Sequence, residues 1–280
     1  GKGSVYTWDG KHELDASIMH GAQLDAGAVA GVTTVQSPIA LARAVMEQSP
    51  HVMLASKGAE QFARDLGIPE VSSAYFETER RKRALESYKA RKQAGVEPRV
   101  DFKFGTVGVV VLDSKGNLVA GTSTGGMTGK RWGRIGDAPV IGAGTYADNK
   151  SCAVSATGHG EFFIRHTVAR EICARMKFAG QNLQEAAETV ILDELVAAGG
   201  DGGIVAVDAT GEVSMVFNTP GMYRARASVA RAKNASESLA TSPRYAEMSS
   251  PVALGDRCLD RLISNVKKPR KLHCNFIEKY

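Results

Sequence analysis

The residues of this 280-residue chain with the types and spacing to do chemistry crowd between Gly105 and Glu161. Thr106, Thr124 and Thr157 offer hydroxyls. Gly105, Gly158 and Gly160 let a backbone approach a ligand closely. Arg134 and Asp137, three residues apart, are placed to hold the carboxylate and the ammonium of an amino-acid zwitterion. Singly, each signal is weak. A Gly-Thr ahead of a strand is commonly structural, because threonine is a good β-former, and Thr157-Gly158-His159-Gly160 reads equally well as a tight turn. Arg134 and Asp137 also suit a mutual surface ion pair. Only the combination argues for a site, one that takes an amino-acid-like substrate.

The elements that must position these residues follow from hydrophobic pattern and turn chemistry. Residues 1–35 read as sheet, with strand-like stretches at 3–8 and 26–35. Ser37 as N-cap with Pro38 at the first helical position opens a helix that Pro50 stops, and a second short helix is predicted over residues 58–66. Residues 77–103 carry nine Lys/Arg and five acids, which reads as an exposed helix followed by a mobile linker. Asp113-Ser114-Lys115-Gly116-Asn117 then joins two strands, 107–112 and 118–123, in a hairpin. Strands at 140–147 and 151–156, helices at about 160–178 and 183–198, and a second hairpin at 203–207 and 212–217 complete the pattern. Sheet, helices and sheet in that order, with antiparallel hairpins, favour a layered α+β sandwich over a Rossmann fold.

Composition excludes several classes. With 43% hydrophobic and 23% charged residues the chain is neither disordered nor fibrous. No apolar run approaches the roughly 18 residues of a membrane span, and the first residues lack the pattern of a signal peptide, so the cytoplasm is the default expectation. The net charge of +5 is concentrated in residues 221–280, which hold 12 Lys/Arg against 5 Asp/Glu, so the body gives no electrostatic argument for nucleic acid. The run Lys267-Lys268-Pro269-Arg270-Lys271 reads as a solvated basic tail. Cys152, Cys173, Cys258 and Cys274 are widely spaced without metal-ligand spacing. They read as free thiols, with Cys152 and Cys173 as small core residues.

Taken together, Gly105-Thr106-Val107-Gly108, Thr122-Ser123-Thr124-Gly125-Gly126-Met127-Thr128, Gly133-Arg134-Ile135-Gly136-Asp137, Gly142-Ala143-Gly144-Thr145-Tyr146-Ala147 and Thr157-Gly158-His159-Gly160-Glu161 resemble the plant-type L-asparaginase, or isoaspartyl peptidase, family. Its members are N-terminal-nucleophile hydrolases. Glu13-Leu14-Asp15-Ala16 and Val45-Met46-Glu47-Gln48-Ser49-Pro50-His51-Val52 extend the likeness upstream, and Gly199-Gly200-Asp201-Gly202-Gly203 and Asn218-Thr219-Pro220-Gly221-Met222 extend it downstream, over residues 1–223 in all.

The resemblance implies an αββα sandwich of two mostly antiparallel sheets between helix layers, formed by residues 1–223, with 224–280 a basic extension unlike the family's short tail. It implies self-cleavage between Gly105 and Thr106, giving an α subunit (1–105, its mobile linker about 77–105) and a β subunit from 106. The freed Thr106 would supply both nucleophile and, through its α-amino group, base. Thr124 would hydrogen-bond the nucleophile, and Thr157 and the Gly158 N–H would form the oxyanion hole. Arg134, Asp137, Gly158 and Gly160 would bind substrate, with His159 a bystander. The expected activity is hydrolysis of L-asparagine or β-aspartyl dipeptides, with no metal or organic cofactor, by a homodimer of αβ units that binds neither nucleic acid nor membrane. The family pattern places a strand with His-Gly-Gly, a long helix and a loop ahead of the position of Gly1, and Gly129 stands where many members have Asn. Two alternatives remain at this point: a non-catalytic, unprocessed relative, and a glycosylasparaginase- or taspase-like amidase.

Overall fold

The computed structural model describes residues 1–96, 104–228 and 273–278. Its larger sheet contains β1 (Leu14–His20), β2 (Asp25–Val32), β3 (Met53–Ala55), β4 (Phe104–Leu112) and β5 (Leu118–Met127). The smaller contains β6 (Thr145–Ala147), β7 (Cys152–Gly158), β8 (Gly202–Asp208) and β9 (Val213–Ser214), in that order. β10 (Tyr223–Ser228) and β11 (His273–Glu278) then return to the larger sheet, whose order is β10-β11-β4-β5-β1-β2-β3. All pairings are antiparallel except that of β2 with β3.

Three buried clusters define four layers. Outside the larger sheet lie α1 (Pro38–Gln48) and α2 (Ser56–Asp65), whose Leu41, Val45, Ala59 and Ala63 pack on Leu14, Val29 and Val32. Between the sheets, Val110, Leu118 and Ala120 face Ala153, Val205 and Val207. Beyond the smaller sheet, α5 (Val168–Ala179) and α6 (Leu183–Glu188) bury Ile172, Leu183 and Ala187 against Val154 and Ile204. Each fully buried Leu, Ile or Val contributes about 1.5–3 kcal/mol. The layering is therefore hydrophobic in origin, and the order is αββα.

Local chemistry explains the edges of these elements. Pro38 opens α1 after Ser37, and the chain is extended again at Ser49. The β4–β5 turn is closed by Asp113, whose Oδ1 accepts from Lys115 and Asn117 N–H at 2.8 Å, while Gly116 supplies the left-handed residue at φ 83°. α3 (Glu79–Gln93) is capped by the Thr78 hydroxyl and buries only Ala84 and Leu85, as expected of an exposed helix. The linker that follows it lies outside the described residues, as does the run Lys267–Lys271.

The structure corrects several expectations. Cys152 and Cys173 are joined in a disulfide rather than free. β7 and α5 pack closely enough to bring their Cα atoms to 5.4 Å, within bonding range, which a sequence separation of 21 does not reveal. Residues 3–8 do not form a strand; Thr7 makes an isolated bridge to Lys130. The strand in that region is β1, buried along nearly its whole length and so without the alternation that marks a half-buried strand. Of 140–147 only Thr145–Ala147 is strand, and of 212–217 only Val213–Ser214. The helix expected over 160–178 breaks at Thr167 (φ 46°) into α4 (Gly160–His166) and α5. That over 183–198 is α6, a π-helical turn at Thr189–Glu194, and α7 (Leu195–Ala197).

Candidate active site

Thr106 lies on β4 directly opposite Thr124 on β5, and their hydroxyl oxygens are 3.0 Å apart in a buried environment. The ladder is irregular at this point: Phe104 pairs with Met127 and Thr106 with Thr124, so β5 carries an extra residue against the Gly105–Thr106 peptide. Gly126, at φ 82°, takes the left-handed conformation of such a bulge, and its N–H donates to Thr124 Oγ1 at 2.9 Å. Gly105 packs against the Arg81 guanidinium, which in turn donates through Nε to the Gly3 carbonyl at 2.9 Å. The expected cleavage point thus sits where the strand pairing is interrupted, with its side-chain hydroxyl already partnered.

The substrate-binding candidates come from the other sheet and from the loop after β5. Thr157 and Gly158 end β7, and Gly160 opens α4. A Cβ on Gly160 would stand 2.8 Å from both Arg134 Nη2 and Asp137 Oδ1, so the three converge and only glycine leaves room for them. Arg134 does not pair with Asp137. Its guanidinium forks onto Glu161, Nε to Oε1 and Nη2 to Oε2, both at 2.8 Å. Burial acts to raise the Glu161 carboxyl, but the hydrogen bonds and charge of Arg134 outweigh it and hold the group below the ordinary carboxylate range. Asp137 is buried and its Oδ2 has no hydrogen-bond partner among the described residues. Burial, only partly opposed by Arg134, pushes its pKa up to about 7. Thr157 Oγ1 is likewise buried without a partner among the described residues. His159 Nε2 lies 3.3 Å from Glu161 Oε2, the oxygen that Arg134 Nη2 also contacts, and its ring meets Phe162 edge to face.

Two features behind the site escape a reading of the sequence. Lys130 is nearly fully buried, packs on Gly126, donates to the Glu13 carbonyl at 2.9 Å and lies 3.8 Å from Asp15 Oδ2. Burial raises the Asp15 carboxyl and lowers the Lys130 ammonium, each opposing the attraction of its partner. A lysine between Gly129 and Arg131 gives no sign of this. The second feature is a chain of buried hydroxyls between the sheets. Ser17 donates to the Ala138 carbonyl at 2.6 Å and contacts Thr145 at 2.7 Å; Thr145 reaches Thr122 at 2.6 Å, and Thr122 reaches Ser155 at 2.7 Å. It ties β5, which carries Thr124, to the residue after Asp137.

Two stacked sheets between helix layers, with Thr106 and Thr124 paired on the larger one, have the architecture of the N-terminal-nucleophile hydrolases. The family model described as Asparaginase matches residues 1–237, and the chain belongs to that family. Among curated relatives, the isoaspartyl peptidase of Escherichia coli (strain K12) is 51% identical over 232 residues, covering 80% of this chain and 72% of the relative. The putative isoaspartyl peptidase/L-asparaginase of Dictyostelium discoideum is 44% identical, covering 80% and 73%, and the isoaspartyl peptidase/L-asparaginase of Homo sapiens is 44% identical, covering 76% and 68%. Among the described residues no helix is long and apolar enough to cross a membrane.

Proposed function

We propose that this chain is a self-processing threonine amidohydrolase that releases L-aspartate from L-asparagine and from β-aspartyl dipeptides. The observation that carries the reading is the Thr106–Thr124 hydroxyl contact at 3.0 Å, placed at the break in strand pairing beside Gly105. Names of the relatives support the substrates, since they include both isoaspartyl peptidase and L-asparaginase.

Processing begins with attack of Thr106 Oγ1 on the Gly105 carbonyl carbon. The peptide C–N bond breaks as the C–O bond forms, giving an ester and a free α-amine on Thr106, and water then hydrolyses the ester to leave a Gly105 carboxylate. Before cleavage the Thr106 nitrogen is an amide and cannot act as a base; afterwards its amine, with a reference pKa of about 7.7–8.0, takes the hydroxyl proton. Substrate binds with its α-carboxylate on Arg134 and its α-ammonium on Asp137, beside Gly160. Oγ1 attacks the side-chain amide carbonyl, the oxyanion is held by the Thr157 hydroxyl and the Gly158 N–H, and ammonia or an amino acid departs with the proton. Water hydrolyses the acyl-enzyme to aspartate and restores Thr106. In this reading residues 1–105 are the α subunit and the chain from Thr106 is the β subunit of one domain, which does not end at residue 223 as the sequence suggested, because β10 and β11 complete the larger sheet beside β4; two αβ units associate.

Intact mass spectrometry of the purified protein, fresh and after incubation, with Thr106→Ala alongside, tests the scheme. Two fragments meeting at Gly105 and Thr106, absent from the variant, are expected, with ammonia release from L-asparagine by the processed protein. A persistent species of 29.7 kDa, or a Thr106→Ala protein that still cleaves, refutes it.

A further inference from the structure

A cavity of about 670 Å³ walled by aromatic rings and cations lies between α3 and the segment that follows β5, lined by Trp8, Tyr88, Lys92, Gly129, Arg131 and Trp132 among others. The Arg131 guanidinium lies 3.7 Å over the Trp8 ring and 5.8 Å from that of Trp132, and Lys89 Nζ lies 5.3 Å from Trp8. Trp8 and Tyr88 meet edge to face at 6.5 Å. Trp132 is 95% exposed and holds a left-handed φ of 57°. A tryptophan so placed gains neither burial nor backbone ease, and such features concentrate at sites of binding. Gly129 completes the wall: at φ 74°, a Cβ there would stand 2.6 Å from the Tyr88 ring.

Chain continuity ties the cavity to the reacting centre. Met127 at the end of β5 pairs with Phe104, two residues before Thr106, and Gly129 follows two residues on. On the other side, Arg134 N donates to the Arg131 carbonyl at 3.0 Å, so a single turn carries both Arg131 and Trp132 of the cavity and the proposed carboxylate anchor.

We propose that this cavity is the leaving-group subsite, taking the α-amino acid released from a β-aspartyl dipeptide and favouring one with a planar aromatic side chain. The inference rests on the reading in the previous subsection. The released residue of such a dipeptide carries a free α-carboxylate, which the cations of the cavity attract, and an aromatic side chain stacks on the exposed face of Trp132. L-Asparagine releases only ammonia and engages none of these groups. The cavity therefore sets preference among dipeptides, on the side of the scissile bond that Arg134 and Asp137 do not touch.

The test compares kcat/KM for β-aspartyl-phenylalanine, β-aspartyl-glycine and L-asparagine in the wild type, Trp132→Ala and Arg131→Gln. The phenylalanine dipeptide should exceed the glycine dipeptide by roughly tenfold, carried by KM. Trp132→Ala should reduce that ratio to about twofold or less, and Arg131→Gln should lower both dipeptides relative to L-asparagine. Equal values for the two dipeptides, or a ratio that Trp132→Ala leaves in place, overturn the proposal. Should the protein hydrolyse none of the three, the amidohydrolase reading fails on its own. Quenching of tryptophan fluorescence by the two dipeptides then decides the subsite separately: tighter binding of the aromatic one, lost in Trp132→Ala, sustains it, and equal affinities overturn it.

Discussion

The two halves of the candidate site differ in how their polar groups are satisfied. On the nucleophile side, Thr106 and Thr124 partner one another and Gly126 N–H closes on Thr124, while the buried Asp15 Oδ2 has the Lys130 ammonium at 3.8 Å but no hydrogen bond among the described residues. On the substrate side, Thr157 Oγ1 and Asp137 Oδ2 are buried with no partner among the described residues, and Arg134 is turned onto Glu161. A buried polar group left unpaired costs about 1–3 kcal/mol. A ligand that supplies the missing partner removes that cost. In the proposed scheme the nucleophile half, whose two threonine hydroxyls already partner each other, waits for a change in its own backbone, and the substrate half for a zwitterion. That scheme switches one half by covalent chemistry and the other by binding.

The largest effect that bears on this contrast is expected from Thr157→Val, which removes the unpaired hydroxyl without changing side-chain volume much. If Thr157 waits for the oxyanion, kcat falls by roughly 10²–10³ with KM nearly constant, as for loss of one oxyanion-hole donor. Because the wild-type hydroxyl has no partner to lose, the folded protein should be no less stable, and a denaturation curve run beside the kinetics checks this. A large loss of stability with little loss of kcat would show that Thr157 belongs to the structural half after all.

Asp137→Asn comes next and separates stability from binding through pH. The folded carboxyl titrates at about 7 because burial disfavours its charge, against about 3.9 in an unfolded chain. Between those values the unfolded state releases the proton while the folded state keeps it, so this group's contribution is fully present below about pH 4 and is lost as pH rises through about 7. The loss amounts to at most roughly 4 kcal/mol. Asparagine never ionises, so the variant should match the wild type near pH 4 and surpass it in urea denaturation at pH 8. Activity should move the opposite way. An ammonium needs the ionised carboxylate, so wild-type KM for L-asparagine should fall as pH rises through about 7, and Asp137→Asn should abolish that dependence while raising KM. A variant that tracks the wild type at every pH would place Asp137 outside the binding half.

The same division shows in what the sequence discloses. Local chemistry announces itself: the Asp113–Asn117 hairpin, the Ser37-Pro38 start of α1 and the exposed helix α3 are all written in caps, turns and spacing, and the structure has them. Non-local pairing does not. β1 is hidden because both its faces are covered, the Cys152–Cys173 bond because a strand and a helix meet only in space, and Lys130 because its acids lie more than a hundred residues away. Within the site, the family motifs named Thr106, Thr124, Arg134 and Asp137, yet residue types alone could not say which of them would pair. They suggested Arg134 with Asp137; the fold pairs Arg134 with Glu161 because α4 begins at Gly160 and directs the next side chain at the guanidinium. The hydroxyl chain from Ser17 to Ser155 was equally invisible, since isolated Ser and Thr on strands are ordinary.

That Arg134–Glu161 fork gives the smallest prediction and the finest test of the contrast. In the proposed scheme an incoming α-carboxylate takes the guanidinium from Glu161, whose own carboxyl that contact holds below its ordinary range. The Arg134 side chain is 18% exposed and that of Glu161 is 48%, so solvent screens the pair and its worth is held to about 0.5–1 kcal/mol. Glu161→Gln keeps a hydrogen-bond acceptor but removes the competing charge, and KM for L-asparagine should fall by about two- to fivefold with kcat unchanged. Added salt should narrow the difference between variant and wild type, because it screens the competing pair as well. If KM instead rises, Glu161 holds Arg134 in the position that substrate needs. The cation would then belong with the satisfied groups of the nucleophile half, and the substrate half would wait on Asp137 and Thr157 alone.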